Sequence, residues 1–489
     1  MPHNPDLPEF LSRFLTEGGI EADRFRQNIR SINQSFAFVS VGVKIDEKIT
    51  YGTGPMCFRI RGELHHRLGS ILPPSTPEVD PATGVAQPVK NAFLQIYIHD
   101  GDTDEAVRIR RDWSNLPNKI SDNTMRQLQT MLHDCNPYVT VFQQAHQIIA
   151  AKPAHKRTDL AAALDLQETD DRRRYNMPTV RKVAAIIPDD VDQEGFSRDL
   201  IVRYSDSSPR RISDCNPMYL PLHYVLLYPH GEPGWHPKIP YATTEEVDGE
   251  ERHVTRTEYY AYYLHYRSSH PDTLFRSRKL FHQLIVDFWA TTEQSKLQWI
   301  ETNQSTLRAD QYKGLMDVLA TDQGDGLRNI GKRVILPSGH VNSTRFMYQL
   351  FQDSMAICRH YGHPDLFITF TANPQWKEIA EALLPGQKYT DRPDLVARVF
   401  QLKKEAFLHD LTVEGVVGKV VGHVHTIEFQ KRGLPHIHCL VFLDPQDRIK
   451  TAEVIDCLIM ANIPDPVEEE ALYKIVTMVM LHEPCDTCC

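Results

Sequence analysis

Two histidines separated by one residue, His436 and His438, are the side chains of this sequence best placed to do chemistry. A β-strand would put both imidazoles on one face, from which they could chelate a single ion. The triplet alone says little, because 23 histidines in 489 residues give about one His-x-His by chance. The chain holds two, the other being His423-Val-His425. The surroundings of the second triplet carry more weight. Alternation places His436 and His438 with Leu440 and Phe442 on one face, while Ile437, Cys439, Val441 and Leu443 point the other way.

The preceding β-like run ends at Glu428-Phe429, and the following QKRGLP can turn the chain into a hairpin. With the hairpin centred on Gly433, Glu428 lies across from His438 and joins the histidine face, with Gln430 beside it. A register shifted by one would bring His423, His425 and Ile427 there instead. The first register is preferred because it combines a carboxylate with two imidazoles, a set suited to manganese or magnesium (Mn2+ or Mg2+) with open positions.

The elements that must hold such a site follow from periodicity. Apolar residues at helical spacing predict a long helix over 274–302, a second over 345–360 and a third over 394–411, entered from Arg392-Pro393. Between and after them, 366–371, 419–429 and 436–443 read as strands. Helices with an antiparallel sheet give an α+β fold. Towards the start, 36–44, 56–60 and 93–98 are β-like and 121–132 is helical, giving a β-rich, mixed α/β module over residues 1–150. Residues 72–88 read as an exposed loop. A polar stretch, 151–174, reads as a connector. After it, 180–204 suggests strands with PDDVDQEG as their turn. The expected organisation is therefore 1–150, a connector with a small β-containing module over 151–258, an α+β domain over 259–443, and an acidic helical tail over 444–489.

Length allows about three domains, and 41% hydrophobic with 24% charged residues is ordinary for a globular protein. No signal peptide or membrane span is visible. Nine scattered cysteines suit a reducing compartment better than a disulfide framework. A net charge of −10 excludes a globally basic nucleic-acid coat, so any such contact rests on local patches such as Lys431-Arg432. From Asp444 onward ten acidic residues face three basic ones. GLRNIGK at 326–332 imitates a phosphate loop, but Arg333 stands where Ser or Thr would hold magnesium, and a helical segment precedes it and a β-like run follows, the reverse of the strand-before, helix-after order such a loop needs.

EFQKRGLPHIH at 428–438 resembles the second motif of the HUH endonucleases found in Helitron transposases, and DLFITFTANPQW at 365–376 resembles the first. YGTGP at 51–55, LLYPHGEPGW at 226–235, GKRVILP at 331–337 and DRPDLVAR at 391–398 are also similar to Helitron segments. The resemblance runs from about residue 30 to the end and is strongest between Tyr259 and Phe442, the Helitron helicase-like region.

It implies an HUH-type core in which His436, His438 and Glu428 hold the metal and a tyrosine attacks single-stranded DNA of transposon ends, leaving a 5′-phosphotyrosine. It also implies a nuclear location and a helicase domain further along a full-length relative. Lys431 and Arg432 would meet phosphate, and Asn373, Gln375 and Trp376 the DNA strand, although Trp376 equally suits a core. The family's nucleophiles are paired tyrosines on a helix beyond the histidine strand. Here only Tyr473 follows, and a helical tyrosine is more often structural. The expectation is a fragment without its catalytic tyrosines. The alternatives are a non-catalytic DNA-binding or interaction module and a metallohydrolase using metal-bound water. His482, Cys485 and Cys488 have metal-ligand spacing but lack a clear fourth ligand.

Overall fold

The computed structural model describes residues 6–41, 104–113, 120–140, 214–241, 250–267, 273–303, 336–341, 343–430, 433–459 and 462–480, with strand segments at 44–45, 60–61, 66–68, 78–79, 86–87, 160–164, 185–188, 200–203, 210–212 and 246–247. The described chain mixes helices with small antiparallel sheets, an α+β arrangement. It divides into two compact units, Met1–Ile335 with Ala380–Pro393, and Leu336–Ile379 with Asp394–Cys489.

In the first unit the described part of residues 1–150 is mainly helical: α1 (Glu9–Thr16), α2 (Ile20–Phe36), α3 (Asp104–Trp113) and α4 (Asp122–Cys135). The described strands there are two or three residues long, and most of the expected 56–60 and 93–98 runs lie outside the described residues. Helix α2 is the element the sequence pattern conceals. Phe25, Ile29, Ile32 and Phe36 recur at helical spacing and are buried, but Arg, Asn and Gln between them hide the stripe, and a glycine stands at its N-cap. The helix near 121 is as expected, and the Ser121 hydroxyl caps it by accepting from Thr124 N at 3.1 Å.

Residues 160–164 form a strand between 185–188 and 200–203, so part of the expected connector is the centre of a sheet. The run LAAAL lacks the large β-formers that mark a strand. The expected strand at 93–98 and the phosphate-loop mimic lie outside the described residues, while within the expected loop 72–88 the segments 78–79 and 86–87 pair as short antiparallel strands.

Helix α5 (Arg256–Tyr263) opens with a capping box between Thr255 and Glu258. The long helix expected from residue 274 begins instead at Arg278, as α6 (Arg278–Thr302), after a separate turn at Thr273–Arg276. Arg278 has φ 43°, a left-handed conformation that interrupts a continuous helix. Leu280, Leu284 and Phe288 of α6 share one core with α1, α2 and the buried run Met218 to Tyr228.

The second unit holds α7 (Thr344–Tyr361), β1 (Leu366–Thr371), α8 (Pro393–Thr412), β2 (Val420–Phe429) and β3 (Pro435–Leu443). Each begins or ends within one residue of its sequence expectation. Ser343 caps α7 and Gly362, at φ 90°, ends it. Pro393 sits in the first turn of α8, where its missing N–H costs nothing. The strands form an antiparallel sheet in the order β1-β3-β2. Cys439, Val441 and Leu443 on one face pack with Leu411, Phe407 and Leu408 of α8.

Candidate functional site

The sheet registers lay the opposite face out in rows. Nearest the hairpin stand Thr371, His436 and Glu428; then Thr369, His438 and Thr426; then Phe367, Leu440 and Val424. Beyond them Phe442 and Gly422 lie under Tyr361 of α7, whose ring is 6.0 Å from that of Phe442. An added Cβ on Gly422 would meet Tyr361 Cε2 at 3.0 Å, so glycine is what admits the ring there. The rows near the hairpin are open: Thr369, Thr426 and Glu428 are exposed, and the histidines are half-buried.

Glu428 therefore faces His436, not His438 as expected, and Thr426 faces His438. The hairpin is one residue shorter on each side than a loop centred on Gly433. Gly433 N donates to Gln430 O at 2.7 Å and Gln430 N to Leu434 O at 3.0 Å. With φ 77°, Gly433 fills the left-handed position that closes a short loop rather than its tip. A register shift of two residues leaves every side chain on its face, so the partnership of Glu428 with the histidines survives. His423 and His425 lie on the α8 face, their rings 5.5 Å apart. Burial, then His423 and Lys404, hold His425 below the usual imidazole range.

Three observations bear on metal binding. Thr371 Oγ1 and His436 Nδ1 are hydrogen-bonded at 2.5 Å, which orients that ring through Nδ1. His438 Nε2 is 3.7 Å from Glu428 Oε2, while His438 Nδ1 is buried without a hydrogen-bond partner. Burial and His438 lower the His436 pKa from 6.5, against the opposing Glu428 charge, which favours the neutral, ligating imidazole. An ion about 2.1 Å from its ligands separates two of them by roughly 3–4 Å, so the Glu428–His438 pair has suitable spacing. The full set does not converge: among the described residues no group of three or more His, Cys, Asp or Glu side chains is gathered around one point. The donor chemistry and the shared face fit a divalent ion, and Glu428, at 66% side-chain exposure, has room to rotate towards it.

The other expected site residues are placed differently. Trp376 stacks on Phe370 at 5.7 Å, and Phe370 also stacks on Phe400 and Phe407, so this cluster occupies the α8 side of the sheet, away from the histidines. Lys403 Nζ lies 5.9 Å from the Trp376 ring. Asn373 shapes the turn after β1, its Oδ1 accepting from Gln375 N at 2.8 Å. Tyr473 is half-buried on the helix Glu470–Ile475, and no hydrogen bond or ring contact ties it to β3 among the described residues. Lys431, Arg432, His482, Cys485 and Cys488 lie outside the described residues. Sequence reasoning missed Thr371 and Phe367. Both sit in the same strand motif at odd positions, and only pairing of β1 with β3 reveals that these share the histidine face.

Residues 259–441 match the family model of the Helitron helicase-like domain at the N-terminus. Over this segment, well under half of the chain, the protein is similar to that Helitron family, a likeness that suggests a transposon-related function. No curated protein matches the chain. No helix among the described residues is long and apolar enough to cross a membrane.

Proposed function

We propose that the β1-β3-β2 sheet is the metal and single-stranded DNA site of a Helitron-type nuclease domain, with His436, His438 and Glu428 as ligands of Mn2+ or Mg2+. The observation that carries this reading is the placement of two imidazoles and one carboxylate in adjacent rows of one open sheet face, within a segment matching the Helitron helicase-like family. A divalent cation there would supply charge neutralisation for a scissile phosphate.

The chain's own residues do the rest. Thr371 holds the His436 ring through Nδ1, leaving Nε2 as the ligating nitrogen. The exposed Glu428 side chain completes the set by rotation, and the hydroxyls of Thr369 and Thr426 flank the phosphate position as donors. Transposon-end DNA is the partner this reading assigns, and a nuclear location goes with it. A downstream helicase domain would be the partner in a full-length relative. The described contacts give Tyr473 no part in the site, so binding rather than strand cleavage is the activity assigned to this face.

Titrating Mn2+ into wild type and into the double variant His436→Ala/His438→Ala, by calorimetry or electron paramagnetic resonance, tests the reading. One Mn2+ per chain in wild type and none in the variant is expected. Equal binding by both removes the metal site. Cutting of a labelled oligonucleotide that survives Tyr473→Phe would show that another nucleophile, such as water, operates.

A further inference from the structure

The apolar row beside the histidines has no place in the metal reading, yet its geometry is specific. Phe367 is 63% exposed, although it lies in a strand whose alternate residues are partly buried. Its ring is parallel to that of His438, at 6° and 5.4 Å between centroids. Leu440 lies directly across from it on β3, and Val424 across from Leu440 on β2. One flat apolar row therefore adjoins two rows of imidazole, hydroxyl and carboxylate groups. Successive rows on one face are about 7 Å apart, because side chains repeat every second residue.

We propose that Phe367 is a stacking platform for one unpaired base, the base belonging to the nucleotide whose phosphate lies over His436 and His438. The proposal rests on the metal-site reading above and extends it to how the strand is held. A nucleotide joins an anionic group to a flat apolar ring within one repeating unit, and the face presents the complement of both at adjacent rows. Lys431 and Arg432, three and four residues after Glu428 in the sequence, add positive charge close to it along the chain. A duplex cannot use this surface, since its bases are already stacked on each other. Single strands can, and stacking on an aromatic ring tolerates any base. Trp376, the aromatic that sequence alone nominates for this role, is instead occupied by Phe370 on the other side of the sheet.

The test uses the full chain and a labelled oligothymidylate carrying one 2-aminopurine, with Mn2+ present. Phe367→Ala is expected to weaken binding about tenfold, the scale of one lost base–aromatic stack, and to abolish quenching of the 2-aminopurine. Phe367→Trp should retain both affinity and quenching, which Phe367→Leu, apolar but not flat, should not. Mn2+ titration of the same proteins reads the ligand set separately. Unchanged DNA affinity and quenching in Phe367→Ala, with Mn2+ bound normally by wild type, would overturn the platform and leave the metal site standing. Failure of wild type to bind Mn2+ would overturn both.

Discussion

In the larger unit, charged and polar groups are sealed inside the core. In the smaller one they stand on an open sheet. Asp287 is buried and accepts hydrogen bonds from the Tyr219 and Tyr224 hydroxyls, both at 2.9 Å. Arg256 is paired with Asp214, donates to Thr291 O at 2.7 Å, and lies 4.3 Å from the Trp235 ring centroid. His223 and Gln283 are joined at 2.9 Å between their side-chain nitrogens. Each of these three groups has a partner, as burial demands, although Tyr228 Oη and Asn136 Nδ2 in the same unit have no hydrogen-bond partner among the described residues. In the smaller unit the unsatisfied nitrogen of His438 stands on a face open to solvent, and Glu428 extends into solvent beside it. Satisfied polar groups specify a fold, while unsatisfied ones on an accessible face are available to a ligand.

The sharpest break of this contrast is Arg256→Ala. It leaves Asp214 as a charge in the core without its guanidinium, and breaking a buried pair costs about 3–5 kcal/mol. Urea denaturation followed by circular dichroism should show that loss, whereas His436→Ala should leave the midpoint unchanged. An unchanged midpoint in Arg256→Ala would mean that the network does not hold the larger unit together.

A pH effect comes next. Burial lifts the Asp287 carboxyl from 3.8 to about 7, against the lowering influence of its two tyrosine donors. Between about pH 4 and pH 7 the folded protein thus holds a proton that the unfolded chain has released, so this group's contribution falls as pH rises through that window. Glu232, lifted by burial to about 7, acts in the same direction. His223, lowered by burial to about 4, acts oppositely, losing stability as pH falls below 6.5. Asp287→Asn isolates the first contribution. The stability difference between wild type and this variant should change by a few kcal/mol from pH 4 to pH 7, and a flat difference would contradict the burial argument.

In the open unit the effects should appear in binding. Thr371→Val removes the hydrogen-bonding partner of His436 and should weaken Mn2+ about 10–100-fold with little change in unfolding midpoint. If affinity is unaltered, Thr371 does not position a ligand. The smallest effect belongs to the covered end of the same face. Gly422→Ala should cost about 1 kcal/mol by displacing Tyr361, as overpacking does, and should leave Mn2+ affinity as it was.

Much of the smaller unit was legible because its signals are local. LFITFT alternates, Pro393 marks a helix start, Gly362 a helix end, and the strand and helix bounds fall where these residues put them. The larger unit was less so. The stripe of α2 is interrupted by polar residues, and LAAAL becomes a central strand through its neighbours, since alanine has little β-preference of its own.

Period-two alternation thus determined that His436 and His438 share a face, while the strand pairing decided that Glu428, and not His423 and His425, joins them there. Which residues stand opposite one another was decided by tertiary structure. The left-handed Gly433 set the register that pairs Glu428 with His436. The pairing of β1 with β3, strands about 70 residues apart in the chain, brought Thr371 to His436 and Phe367 to His438. No local pattern encodes that juxtaposition, since it depends on hydrogen bonds between distant segments and on α8 claiming the other face of the sheet.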